Sequence, residues 1–187
     1  MRRIHIIGSA GTGKTSLAEK LAQCLGIPHV ELDDLHWEEN WQEAELEIFR
    51  GRVHQALSGD AWVVDGNYSK VRDIVWERVQ LVVWLDYGLM VAFWRLLRRS
   101  LRRWLTGELL WGRNRESLGN LFFSRDSLLL YQLKTHRSRR ESYQAKLQDP
   151  AYRSIRFLRQ RSPRQTRQWL ASLEDKQSRG ERWNLDR

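Results

Sequence analysis

Near the start of the chain, Gly8-Ser9-Ala10-Gly11-Thr12-Gly13-Lys14-Thr15 has the spacing G-x-x-x-x-G-K-[ST]. Each residue type in that run suits phosphate. Glycines reach positive φ and let successive backbone N–H groups turn inward on phosphate oxygens. A helix opening at the end of the loop adds the positive end of its dipole. A lysine placed there reaches the β- and γ-phosphates of a nucleoside triphosphate, and the hydroxyl after it ligates Mg²⁺. Gly8, Ser9, Ala10, Gly11, Thr12, Gly13, Lys14, Thr15 and Ser16 are the expected nucleotide contacts, with Thr15 on the metal. The competing reading is a glycine-rich turn with Lys14 merely solvated.

Carboxylates supply the second set of reactive groups. Asp33, Asp34, Asp65 and Asp86 each follow a short apolar run, and the carboxyl ends of parallel strands line a ligand crevice. Asp33 is the candidate for orienting or deprotonating an acceptor hydroxyl. A phosphate acceptor would call for arginines instead. For Asp33 and Asp34 the alternative is capping of the next turn, and Asp86 is expected to cap the following helix. His36, Trp37, Trp41, Asn67 and Tyr68 are candidates to line the acceptor pocket. Either tryptophan taken alone reads equally as core packing. His36 has no second histidine or cysteine at ligand spacing, so it makes no metal site.

The elements that must position these groups alternate. Ile4–Ile7, His29–Leu32, Trp62–Val64 and Leu81–Leu85 read as buried strands, with a weaker fifth at Tyr152–Leu158. Leu17, Leu21, Cys24 and Leu25 lie on one helical face, stopped by Gly26 and Pro28. Cys24 on that face reads as inert packing. Leu46, Phe49, Val53 and Leu57 mark another helix. This alternation predicts an α/β fold, a five-stranded parallel sheet with helices on both faces. Residues 88–148 show no strand signal and are rich in arginine, so they are expected to form a helical cap or lid. Residues 1–175 read as one domain and 176–187 as a polar tail.

Within the cap, Met90, Phe93, Trp94, Leu97, Leu101, Trp104 and Leu105 form one helical face and are expected to cover the sheet. Arg95, Arg98, Arg99, Arg102 and Arg103 form the other. The net charge of +9 is uneven: residues 1–94 hold 9 basic and 14 acidic groups, and residues 95–187 hold 23 and 9. An arginine-rich half implies a polyanionic partner: nucleotide, nucleic acid or anionic membrane. The single cysteine excludes an intrachain disulfide and points to a reducing cytoplasm. No apolar run approaches the ~20 residues of a transmembrane helix. A guanine-reading Asn-Lys-x-Asp is absent, which argues against a GTPase, and the chain is short for a motor ATPase. A small-molecule kinase closed by a lid fits best, ahead of a nucleotide-dependent nucleic-acid regulator and a membrane-surface protein.

Gly8–Thr15, Glu31-Leu32-Asp33-Asp34-Leu35-His36-Trp37, Val63-Val64-Asp65-Gly66-Asn67-Tyr68, Val82-Val83-Trp84-Leu85-Asp86 and Asn114-Arg115-Glu116 resemble, in order, the adenylate-kinase-like family of DNA topology modulation proteins. The resemblance runs from residue 4 to about 173. It implies a P-loop NTPase of the nucleoside-monophosphate-kinase type, ATP as donor with Mg²⁺, and Asp65 as a water-mediated Mg²⁺ contact. It also matches Arg95 and Arg99 to the two arginines that begin the lid of adenylate kinases. Arg113, Arg115, Arg137, Arg139 and Arg140 are candidates to complete that lid, with Arg99 and Arg139 neutralising transition-state charge. The acceptor (nucleoside, nucleotide, sugar-like alcohol or another metabolite) stays open. The family's name adds an effect on DNA as the alternative function.

Overall fold

The computed structural model describes residues 2–115 and 128–179. Residues 116–127 of the cap, including Glu116, and the end of the polar tail from 180 lie outside the described residues. The expected sheet is present. Strands β1 (Arg3–Gly8), β2 (His29–Glu31), β3 (Trp62–Asp65), β4 (Leu81–Leu85) and β7 (Arg156–Gln160) form one sheet in the order β2-β3-β1-β4-β7. Every pairing in it is parallel.

Side chains alternate along these strands, and both faces are apolar because helices cover both. Ile4, Ile6, Val63, Leu81, Val83 and Leu85 pack toward α1 (Lys14–Leu25) and α7 (Pro163–Ser178). Ile7, Trp62, Val64, Val82 and Trp84 pack toward α3 (Leu46–Ala56) and α4 (Arg72–Arg78). Phe49 of α3 is completely buried there, and truncating such a ring to alanine costs about 3–5 kcal/mol. A polar group, His5, sits inside this layer. His5 is 4% exposed; its Nδ1 accepts from Trp76 Nε1 at 2.9 Å, so its Nε2–H donates to the Gly66 carbonyl at 2.9 Å. Burial first, against the opposing Gly66 hydrogen bond, lowers its pKa to about 4.

Local sequence explains the ends. Gly26 closes α1 in a left-handed conformation (φ 62°), its N–H directed at the Ala22 and Gln23 carbonyls. Ser162 caps α7 with Pro163 in the first turn. Cys24 is half-buried, where α1 meets α7, and donates to Gln177 Oε1.

Three expectations change. The second strand ends at Glu31, and Leu32 begins the short helix α2 (Leu32–His36). The fifth strand starts at Arg156, because Pro150–Tyr152 takes a 3₁₀ turn that Asp149 caps. The cap is not free of strands: α5 (Leu89–Thr106) is followed by β5 (Leu109–Leu110) and β6 (Asn114–Arg115), an antiparallel hairpin, before α6 (Leu128–Gln148). Its turn holds Trp111 at φ 50° and Gly112 at φ 72°, the positive φ pair that matches hairpin twist.

The orientation of α5 also departs from expectation. It buries Ala92, Leu96 and Ser100, spaced by four residues, while Met90, Trp94, Trp104 and Leu105 are exposed. The narrow strip faces the glycine loop rather than the sheet. A Cβ on Gly11 would lie 2.2 Å from the Ala92 carbonyl and 2.8 Å from Leu96 Cβ, so close approach of helix and loop selects glycine there.

Candidate functional site

The glycine loop joins β1 to α1, and Gly8, Gly11 and Gly13 all have positive φ (152°, 77° and 90°). Thr12 is buried and closes the loop by donating its hydroxyl to the Ser9 carbonyl at 2.7 Å. Asn67, just past β3, holds Gly8 from both sides. Its Oδ1 accepts from Gly8 N at 3.2 Å and its Nδ2 donates to Gly8 O. Tyr143 of α6 donates to the same Oδ1 at 3.1 Å. Ser16 is exposed in the first turn of α1.

Lys14 is the electrostatic hub. Burial pushes its pKa down; Asp33 and Asp65 oppose that, and Arg99 and Arg139 reinforce it. Its Nζ donates to the Ser9 carbonyl at 3.4 Å. The groups expected from sequence at residues 14, 33, 65, 99 and 139 therefore share one electrostatic neighbourhood, although separate stretches of chain supply them.

Asp65 is 2% exposed. Its Oδ2 accepts from the Thr15 hydroxyl at 2.9 Å, and its Oδ1 meets His29 Nε2 at 2.9 Å. A hydroxyl beside a carboxylate is the hard oxygen set that Mg²⁺ takes, so these two residues fit the metal that the loop motif implies. Burial pulls the His29 pKa down, but the hydrogen bond and charge of Asp65, with Glu31 and Glu19, carry the net shift upward.

On the other side of Lys14, Asp33 and Asp34 sit in the first turn of α2. Neither caps it. Asp33 Oδ1 accepts from the Tyr68 hydroxyl at 2.6 Å, and burial first, then Asp33, pushes the phenol pKa upward. Asp34 pairs with Arg113 at 2.7 Å. Asp86 does not cap α5 either, since Gly88 stands at that position. It is 7% exposed and accepts from Arg159 Nε at 2.8 Å and from Arg140 Nε at 3.2 Å.

No protein-family model matches the sequence, and no curated protein matches it. Solved structures do. A gluconokinase from Sinorhizobium meliloti 1021 is 20% identical with a TM-score of 0.52, over 97% of this chain and 98% of that one. Shikimate kinase from Bacteroides thetaiotaomicron is 16% identical with a TM-score of 0.56, over 95% and 98%. Shikimate kinase from Acinetobacter baumannii, in complex with shikimate, is 15% identical with a TM-score of 0.55, over 96% and 94%. The fold is that of the P-loop kinases. At such identities the likeness extends to fold alone.

On this P-loop kinase fold the arginines of the cap divide. Arg95 donates to the Thr12 carbonyl at 3.2 Å and lies 5.9 Å from the Tyr87 ring centroid. Arg139 lines a narrow cleft with Ser9, Tyr87, His136, Arg140 and Tyr143, between the loop and α6. Arg137 instead pairs with Glu141 on the surface and is 91% exposed. Arg113 turns to Asp34 and the Trp37 carbonyl (3.0 Å), away from the loop. Arg115 is exposed, and its carbonyl accepts from Trp41 Nε1 at 2.9 Å.

Trp37 and Trp41 are outside the core. Trp37 meets Trp41 edge-on at a centroid distance of 5.6 Å, and Trp41 in turn meets Trp111 of the hairpin at 6.0 Å. His36 is 3% exposed and is enclosed by Trp37, Phe49 and Tyr68. Sequence reasoning misses Glu31, His29 and Trp111. Trp111 Nε1 donates to Glu31 Oε2 at 3.0 Å. Burial first, opposed by that bond and reinforced by Asp65 and Asp33, raises the Glu31 pKa to about 6. Glu31 ends β2 as Asp65 ends β3, and that placement is a signal the sequence does carry.

Among the described residues no helix is long and apolar enough to cross a membrane.

Proposed function

We propose that the chain is an ATP- and Mg²⁺-dependent phosphotransferase that moves the γ-phosphoryl group to a hydroxyl of a small molecule. The observation carrying this reading is the convergence on Lys14. A phosphate loop, two carboxylates with separate partners, and two arginines from different cap helices share its field. Transfer to a hydroxyl requires these parts: cations on the moving phosphoryl group, a base for the acceptor, and little else.

In this scheme the backbone N–H groups of the loop after Gly8, through Ser16, hold the triphosphate, while Asn67 fixes Gly8 and Arg95 braces the loop through Thr12. Thr15 and Asp65 would hold Mg²⁺, which when bound would neutralise phosphate charge. Tyr68 donates to one oxygen of Asp33 and leaves the other to take the acceptor proton. The alkoxide oxygen forms the new P–O bond as the bond to ADP breaks. Lys14, Arg99 and Arg139 stabilise the charge on the transferred group. The decisive measurement is calorimetric binding of ATP with Mg²⁺ to the wild type and to Lys14→Ala, followed by ADP release across an acceptor panel. Unchanged nucleotide affinity in the variant would refute the site.

The second reading, a nucleotide-dependent nucleic-acid regulator of the DNA topology modulation type, draws on the outward side of α5. Arg98 is exposed there, and Arg102 is 69% exposed while paired with Glu108. It makes no use of Asp33 or Tyr68.

A further inference from the structure

The charge around Asp33 bears on what the acceptor is. Three carboxylates stand at the carboxyl end of β2 and in the first turn of α2: Glu31, Asp33 and Asp34. Among the described residues, and apart from Lys14 on the donor side, the cations of the surrounding elements are committed elsewhere or turned to solvent. Arg113 is bound to the Asp34 carboxylate and to the Asp34 and Trp37 carbonyls. Arg52 pairs with Glu38 at 2.7 Å and donates to the Leu35 carbonyl at 3.1 Å. Arg50 grips both oxygens of Asp73, and Lys70 pairs with Glu43 at 3.4 Å. Arg115 of the hairpin is exposed. A carboxylate or phosphate entering here would meet acids, and pairing it with Arg113 or Arg52 would break an ion pair.

The wall beside these acids is aromatic. Trp37, Trp41 and Trp111 form a continuous edge-to-face series. The hairpin is fastened to α2 and its following turn by Arg113, by Asn114 donating to the Glu38 carbonyl at 2.9 Å, and by Trp41 N donating to Asn114 Oδ1 at 3.0 Å. Trp41 and Trp111 hold φ of 60° and 50°, conformations that cost energy for a bulky residue and persist where the surroundings fix them. A fixed indole wall with acids beside it suits a carbon ring face bearing hydroxyls or a protonated amine.

Resting on the phosphotransferase reading, we infer that the acceptor is a hydroxyl compound without an anionic group: a neutral polyol or nucleoside, or an amine-bearing alcohol. Discrimination against anions comes from the unpaired charge they would meet.

The test uses matched acceptors on one skeleton. Sorbitol, its 6-phosphate, the corresponding sugar acid and the corresponding amine are compared by ADP release with saturating ATP and Mg²⁺, alongside a nucleoside and its 5′-monophosphate. The neutral or amine member of a series is expected to exceed its anionic counterparts in kcat/KM by about 100-fold, the effect of one like charge near 6 Å at intermediate screening. Asp34→Asn, which releases Arg113, should narrow that gap about tenfold, and Glu31→Gln should narrow it without touching the hairpin's ion pair. Preference for a carboxylate or phosphate acceptor overturns the inference and leaves the phosphotransferase reading standing. Failure of every acceptor, with ATP still bound through Lys14, removes both.

Discussion

The two sides of the site share one sheet edge and are made in opposite ways. On the donor side a contiguous loop does most of the work, and Arg99 and Arg139 of the cap both act on its Lys14. On the acceptor side the groups come from β2, α2, the segment after β3 and the cap hairpin, and Arg50, Arg52 and Arg113 are each locked to an acid. The difference follows from the chemistry. A triphosphate brings its own charge and meets a field of the opposite sign. The acceptor side must present a base to the incoming hydroxyl.

The sharpest way to break this contrast is on the donor side. Lys14→Ala should reduce turnover by about 10³-fold or more and lower ATP affinity, with the circular dichroism spectrum intact. On the acceptor side, Asp33→Asn should lower kcat by about 10²–10⁴, the usual worth of a positioned base, while ATP binding measured by calorimetry barely moves. If Asp33→Asn weakened ATP as Lys14→Ala does, the two sides would not be separate. Tyr68→Phe removes only the orienting hydrogen bond and should fall well short of the Asp33 effect.

The same contrast explains what can be read in the chain. Gly8–Thr15 is legible because one local conformation, made by adjacent residues, is the site. The sheet is legible because both-face burial writes β4 as an unbroken apolar run. Asp33 and Asp65 stand out as strand-end acids, but their partners do not, since His29 and Tyr68 reach them across 36 and 35 residues. The α5 helix misleads for a packing reason. Its apolar residues form the wider arc, yet packing on the glycine loop requires a close approach, made at Ala92 and Leu96, that bulkier residues of that arc would block. Much of the apolar arc of α5 therefore stays exposed, and a sheet to cover no longer counts against a surface role for it.

A smaller effect separates the two sides of α5. Arg95→Ala and Arg99→Ala should lower turnover and ATP affinity by about 10-fold to 100-fold even at moderate salt. Arg98→Ala and Arg102→Ala should leave both unchanged. If DNA is a partner, the outward pair should weaken its binding and reduce the slope of log affinity against log salt by about 1 for each phosphate no longer neutralised. Weaker DNA binding on changing the inward pair, with ATP turnover spared, would reverse the assignment of the faces.

A further effect is expected on stability, and its sign differs between the buried His5 and the partly buried Glu31. The folded pKa of His5 lies near 4, below the ordinary value of 6.5. Its contribution is therefore fully present above pH 6.5 and is lost as pH falls toward 4, up to about 3 kcal/mol by linkage. Glu31 behaves in the reverse sense. Its folded pKa of about 6 lies above the ordinary value of 4.5, so the folded state holds the extra proton between those limits. Stability is unpenalised below 4.5 and falls as pH rises to 6. Because Glu31 is partly solvated, the penalty should be only about 1 kcal/mol. Glu31→Gln keeps an acceptor for Trp111 and removes the charge. Urea melts should show the variant about 1 kcal/mol more stable than wild type at pH 7 and equal to it at pH 4. A gain of the same size at both pH values would mean that packing, and not the buried charge beside Asp33 and Asp65, sets the cost at the acceptor side.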